Sequence, residues 1–545
     1  MQRIGFGAWI ASAVALLTMA PAAAAAGGTA EGKGVGGQRD PAVVRTDRGL
    51  VRGTVAVDHR TFRAIPYAAP PVGALRWRSP RPAERWTGVH DATRARPGCT
   101  QLDGLPMDTA SNEEDCLHLT VTTPRRSARD RLPVIVWFHG GHFLLGQGDA
   151  YGGRTLAVEG DVIVVTPNYR LGPLGFLAHP AIEETPGASG NFGIEDQQAA
   201  LRWVRDNAAA FGGDPGNVTI AGQSAGATSV CAHLAAPGSG GLFHRAIVQS
   251  NACTTPLRTR EEALASGAAF VGATGCDLHP QGVTACLRGR SAKDLVTAAG
   301  YPGMSDWEAA PTAGGPVLPI DPAEAVATGR IHRVPVLVGS TRDEYRGQIW
   351  GMERSDMLCA HEQPKPCGLS WAQFEAQVTA VFGGSAPAVL ARYPRAAYGT
   401  ASEALGAVMT DAEYARPVHD TALALSRLVP TYAYEFADRD APYFIGEEPT
   451  TFPMGAYHLA ELPYLFAVTY AQPLNSRQEL LSDAVVGYWS RFAHAGDPNR
   501  RGLPAWHRFT TDDRYVQGLA PGRDGIKRTD VETTHQLAFW RSLVR

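Results

Sequence analysis

The chain has 545 residues, 44% of them hydrophobic and 19% charged, with a formal net charge of −3. That is an ordinary globular composition with ample apolar material for a large core. The mild acidity gives no footing for nucleic-acid binding, and it says nothing about a substrate.

The N-terminus "MQRIGFGAWIASAVALLTMAPAAAAAGG" has a positive start at Arg3, an apolar run of signal-peptide length and A-x-A choices around Ala24 to Ala26. The competing reading is a membrane anchor; Pro21, the alanine tract and the glycine-rich stretch that follows favour cleavage. The expected organisation is therefore a signal peptide over 1–26, a flexible leader over 27–42 and one domain over 43–545. No later stretch reaches the ~18 consecutive apolar residues of a spanning helix, so a secreted protein without a membrane anchor is expected. Export makes the cysteines legible. Cys99 and Cys116, Cys276 and Cys286, and Cys359 and Cys367 fall in close pairs that an oxidising compartment would let persist as bridges. Cys231 and Cys253 read either as a fourth bridge or as two buried thiols, and spacing leaves the connectivity open.

Length alone suggests about three domains. The recurring grammar is instead an apolar β-branched run, a glycine-rich turn and a helical pattern, with no internal repeat and no linker. That grammar predicts an α/β fold with a large, mostly parallel sheet flanked by helices. "LPVIVWFHGG" and "DVIVVTPNYR" are buried strands. "NFGIEDQQAALRWVRDNAAAFGG" is a helix with Ile194, Leu201, Val204, Ala208 and Phe211 on one face, stopped by Gly212 and Gly213. "NVTIAGQSAGATSVCAHLAA" is strand, turn and helix, and "HRVPVLVGSTRDE" a further strand with polar residues at its carboxyl end. Such strand ends are where sites gather in open α/β sheets. The stretches near 255–335 and 345–455 are richer in Pro, Ala and short helical patterns, and are expected as a helical cap over the sheet.

"GQSAGA" holds a G-x-S-x-G whose five letters are weak evidence alone, but Ser224 lies between a β-branched strand and a helix, where a nucleophile elbow sits. Gly222 and Gly226 remove side chains that would collide with the neighbouring backbone. A serine hydroxyl needs a base, and the base an acid, in the chain order Ser, Asp or Glu, His. Asp343 and Glu344 stand side by side after a strand, and geometry does not choose between them. For the base, His458 in "PMGAYHLAELPYLF" leads by position, with His494 and His419 behind it. "HGGHF", His139 to Phe143, follows a strand like the loops that supply oxyanion donors; Ala225, after the nucleophile, would supply another. "NVT" at Asn217 matches a glycosylation sequon but adjoins the elbow strand and reads as incidental.

The chain resembles the type-B carboxylesterases, the cholinesterase-like branch of the α/β-hydrolases. "FGGDPGNVTIAGQSAG" resembles that family's serine signature and "EDCLHLTV" its second. "FRAIPYAAPPVGALRWRSP", "NYRLGPLGFLA" and "FAHAGDPN" extend the likeness from Arg52 to Asn499. The resemblance implies the α/β-hydrolase fold, ester hydrolysis through an acyl-enzyme, and a triad of Ser224, Glu344 (from "GSTRDEY") and His458. It places oxyanion donors at Gly141, His142 and Ala225. Bridges Cys99–Cys116 and Cys276–Cys286 match family positions, whereas Cys359–Cys367 is an extrapolation. Two residues depart from the family pattern: His142 and Tyr345 stand where glycine is usual. The first disulfide loop, "TQLDGLPMDTASNEED", has no aromatic residue, which argues against choline esters.

These readings predict a small-molecule, lipid or aryl ester as substrate, with no metal and no cofactor. The alternatives are a non-catalytic cholinesterase-like binding protein, and a peptidase or amidase using the same triad. Neither the natural ester nor the oligomeric state is legible.

Overall fold

The computed structural model describes residues 40–104, 109–125, 131–300, 307–355, 365–447 and 449–543. The expected signal peptide, all of the expected leader before Asp40, and Cys359 with its expected bridge to Cys367 lie outside the described residues.

Runs such as "LPVIVWF" are apolar at every position because the strand they form is buried on both faces. Side chains alternate across a strand, so β-branched residues at odd and even positions feed two different cores. Among the described residues, eleven strands form one sheet. In chain order they are β1 Thr54–Val55, β2 His59–Pro66, β3 His118–Pro124, β4 Leu132–Phe138 and β5 Ile163–Pro167. Then come β6 Gly213–Gln223, β7 Arg245–Gln249, β8 Val336–Thr341, β9 Thr431–Phe436, β10 Val516–Leu519 and β11 Ile526–Arg528. The spatial order is β11-β10-β9-β8-β7-β6-β4-β5-β3-β2-β1. From β5 through β10 each strand runs parallel to its neighbour, and the antiparallel pairs lie towards the two edges. A separate three-stranded sheet joins Val43–Arg45, Leu50–Arg52 and Val89–Asp91.

In β4, Val134, Val136 and Phe138 enter the core on one face while Ile135 and Trp137 enter the other. The first core takes Ile194, Leu201 and Val204 of helix α1 (Phe192–Asn207), and Val230 and Leu234 of α2 (Ala225–Ala235). Helix α1 carries the apolar face its sequence predicts. It continues as a 3-10 turn, Ala208–Phe211, which Gly212 ends at φ 94°. Strand β6 starts at once, at Gly213, earlier than the apolar letters of "NVTIA" suggest. Its partner β4 pairs Leu132 with Gly213, so the sheet ladder imposes extended backbone on the polar "GDPGN".

Chain order and spatial order part company at β4. The chain passes from β4 to β5 on one side, then returns to β6 on the other. This switch point opens a crevice at the carboxyl ends of β4 and β6, where Phe138 pairs with Gly222. A buried ion pair lies just beyond β5: the Arg170 guanidinium grips Asp196 of α1 through two hydrogen bonds of 2.7 Å.

Candidate active site

Ser224 stands at the junction of β6 and α2 with φ 58° and ψ −124°, outside the ordinary range for an L-residue. Two glycines make this turn sterically possible. A Cβ at Gly222 would come within 2.4 Å of the Gly226 carbonyl oxygen, and one at Gly226 within 2.0 Å of the Phe138 carbonyl oxygen. The turn is held at its base by the Ser224 N–H donating to the Gln249 carbonyl at the end of β7. Helix α2 then directs its unpaired N-terminal amides at the crevice.

The loop after β4 packs on this turn. A Cβ at Gly140 would sit 2.9 Å from the Gln223 carbonyl oxygen, and Gly141 takes φ 102° with no room beside Leu145. His142 and Phe143 follow at φ 54° and 58°. Among the described residues, no acceptor meets the backbone N–H groups of Gly141, His142 or Ala225. His142 and Ala225 also line the cavity beside Ser224.

After β8 the neighbouring carboxylates diverge. Asp343 turns to the Arg439 guanidinium at 3.1 and 3.2 Å and to the Ala456 N–H at 3.0 Å. Gly455, at φ 63°, admits this: a Cβ there would lie 2.4 Å from an Asp343 oxygen. Glu344 turns inward and is fully buried, with one oxygen accepting from the Thr341 N–H at 2.7 Å. Its other oxygen lies 2.5 Å from Nδ1 of His458. The His458 N–H also donates to the Glu344 carbonyl at 3.1 Å. Burial opposes charge on the His458 imidazole, but the Glu344 carboxylate outweighs it and holds the pKa above its usual value. The other histidines weighed for the base lie elsewhere. His494 meets the Gly160 carbonyl at 3.3 Å, and His419 is buried against Arg541 and Phe509.

The structure thus brings Glu344 and His458 into contact, while the serine is not yet joined to them. Among the described residues, Ser224 Oγ makes no hydrogen bond. His458 Nε2 is instead 3.0 Å from the side-chain amide of Gln223, the residue before the serine. With Nδ1–H directed at Glu344, Nε2 carries the lone pair and the Gln223 amide donates to it. Gln223 was not singled out in the sequence, although its place beside the elbow serine is a usable signal. Glu461 was missed too. It is a buried carboxyl three residues after His458, and burial followed by repulsion from Glu344 pushes its pKa up to about 7. One oxygen accepts from Gln249 at 3.1 Å, and Gln249 accepts in turn from Trp489 at 2.8 Å.

Cys99–Cys116 and Cys276–Cys286 are bridged, and so are Cys231 and Cys253, the pair left open by spacing. This last bridge ties α2 to the chain just beyond β7. There Asn251 donates to Thr228 Oγ1 at 2.7 Å and to the Ser224 carbonyl at 3.4 Å. Tyr345, in place of the usual glycine, donates its N–H to Thr410 at 2.9 Å, at the start of a π-helix over Thr410–Ala415.

Above Ser224 lies a cavity of about 600 Å³. His142, Leu144, Ala225, Trp307, Ala412 and Tyr414 contribute to its walls, together with Arg258, Glu308, Glu413 and Arg416. Segments expected as a cap thus supply most of its lining. Among the described residues, no three His, Cys, Asp or Glu side chains cluster as a metal site, and no helix is long and apolar enough to cross a membrane.

A family model described as the carboxylesterase family matches residues 40–540. The para-nitrobenzyl esterase of Bacillus subtilis (strain 168) is 36% identical over 493 residues, covering 86% of this chain and 94% of that protein. The acylcarnitine hydrolase of Mus musculus is 34% identical over 495 residues, covering 86% of this chain and 84% of that protein. A solved structure of a thermophilic PNB esterase superimposes with a TM-score of 0.75 at 31% identity, covering 92% of this chain and all of that one.

Proposed function

This chain belongs to the carboxylesterase family of α/β-hydrolases, and from that premise we propose that it is a secreted serine esterase working through Ser224, His458 and Glu344. The observation that carries the reading is the 2.5 Å contact between the His458 imidazole and the otherwise enclosed Glu344, beside an elbow serine that faces the cavity.

In the proposed reaction, His458 Nε2 exchanges its Gln223 partner for the Ser224 hydroxyl. Catalytic hydrogen bonds are often absent or long before substrate binds, so the resting contact is compatible with this step. Nε2 takes the hydroxyl proton as Oγ bonds to the ester carbonyl carbon, and the imidazolium is stabilised by Glu344. The negative oxygen accepts from the N–H groups of Gly141, His142 and Ala225, each worth on the order of 3 kcal/mol in such sites. Collapse breaks the bond to the alcohol oxygen, which leaves with the proton from Nε2. Water then repeats the sequence on the acyl-enzyme and releases the acid. Support for secretion is the N-terminal signal pattern together with three disulfides among the described residues, which persist in oxidising compartments.

The test is Ser224→Ala. Turnover of p-nitrophenyl acetate should fall by roughly 10⁶, as in other triads. Activity near that of the unaltered enzyme would refute the reading.

A further inference from the structure

Position 142 is unusual on three independent counts. It follows Gly141 in a left-handed run, with φ 54° at a residue bearing a side chain, and Phe143 continues the run at φ 58°. Such backbone costs a non-glycine residue of order 1 kcal/mol, and strain of this kind is commonly held at functional sites. A Cβ at Gly141 would lie 2.3 Å from the Leu145 carbonyl oxygen, whereas the side chain at 142 is exposed. The space it enters is the cavity that Ser224 and Ala225 also line.

The His142 imidazole is accessible from that cavity, and among the described residues it makes no hydrogen bond. His139, in the same loop, behaves differently: it is buried and stacked on Tyr169 at 4.3 Å, with Nδ1 at 2.9 Å from the Gly140 carbonyl oxygen. The cavity walls and the nearby His458 disfavour charge on His142, lowering its pKa to about 4. A neutral imidazole offers one N–H donor and one lone pair, both here without protein partners. The imidazole is exposed to the cavity, so a suitable substrate group can meet it there in place of water.

We propose that His142 is a specificity-determining residue that hydrogen-bonds a polar atom of the substrate a few bonds from the scissile carbonyl. The favoured class is then esters with an ether, hydroxyl or carbonyl oxygen close to the reacting centre, over their plain alkyl counterparts. The backbone N–H of the same residue serves the oxyanion while its side chain reads the adjoining atoms. This rests on Ser224 being the nucleophile, since the cavity is defined around it.

The experiment uses two isosteric ester pairs, one varying the acyl side and one the alcohol side. They are p-nitrophenyl methoxyacetate against butyrate, and 2-methoxyethyl acetate against butyl acetate. For each, the ratio of kcat/KM is measured in the full-length enzyme and in His142→Gly, His142→Phe and His142→Asn. Comparing ratios between enzymes cancels the intrinsic reactivity of the esters. In at least one pair the preference for the oxygenated ester should fall about tenfold in His142→Gly and His142→Phe, the loss of one hydrogen bond. His142→Asn should recover part of it. Ratios within twofold of the unaltered enzyme in both pairs would overturn the proposal. So would a loss confined to His142→Phe, which would mark a purely steric role. Ser224→Ala run alongside separates the two claims: abolition of all four activities with unchanged His142 ratios keeps the nucleophile and rejects the specificity role.

Discussion

His458 sits between two partners that pull its chemistry in the same direction. Glu344 accepts from Nδ1 and Gln223 donates to Nε2, so the ring is fixed as the tautomer that can receive a serine proton. Because Glu344 raises the imidazole pKa, more acid must be removed before the base is free than for an ordinary histidine near 6.5. The protonated ring cannot accept the hydroxyl proton, so kcat/KM should fall as pH drops, with its midpoint above about 6.5. A pH–rate profile from 5 to 9 on a neutral ester checks this. A flat profile, or a midpoint well below the ordinary histidine value, would remove His458 from the role. Ser224 was readable at this scale because strand, glycines and helix all agree around it. Asp343 and Glu344 were not separable from their letters: the choice is made by Arg439, almost a hundred residues downstream, which claims Asp343. The resemblance to a family pointed to Glu344, the carboxylate that meets His458, where local physics left both open.

Elements repeat the pattern. The buried strands and α1 follow from apolar runs and helical periodicity, since each residue's burial is dictated by its own strand or helix face. The π-helix over Thr410–Ala415 gives no such signal, because its register depends on what grips it from outside. Asp411 within it accepts from Tyr393 at 2.6 Å and meets His535, which also lies 2.7 Å from Glu435 on β9. Burial opposes charge on His535, yet the two carboxylates raise its pKa to about 10, so a buried cation anchors the cavity wall formed by Ala412, Glu413 and Tyr414. The Cys231–Cys253 bridge works at the same scale by tying α2, which starts just after Ser224, to the chain beyond β7. It closes a 22-residue separation, for which loop-closure entropy gives about 3 kcal/mol. The double variant Cys231→Ser, Cys253→Ser should therefore lose about that much stability in urea unfolding. An unchanged midpoint and slope would show that the bridge leaves the elbow helix no firmer.

For the whole molecule, the decisive feature is topological. Three strands far apart in sequence, β4, β6 and β8, run parallel and end on the same carboxyl side of the sheet, delivering the glycine loop, the serine and the carboxylate to one crevice. Alternating strand and helix signals made this architecture legible. The cavity was not, because its walls come from separated insertions whose side chains meet only after folding. The proposed chemistry turns on the hydroxyl of Ser224 being a nucleophile activated within that crevice. Intact-mass and peptide mass spectrometry after incubation with a fluorophosphonate tests it most directly. A single adduct on Ser224, slowed greatly in His458→Ala, is the predicted result; an unlabelled protein, or an adduct on another residue, would contradict it.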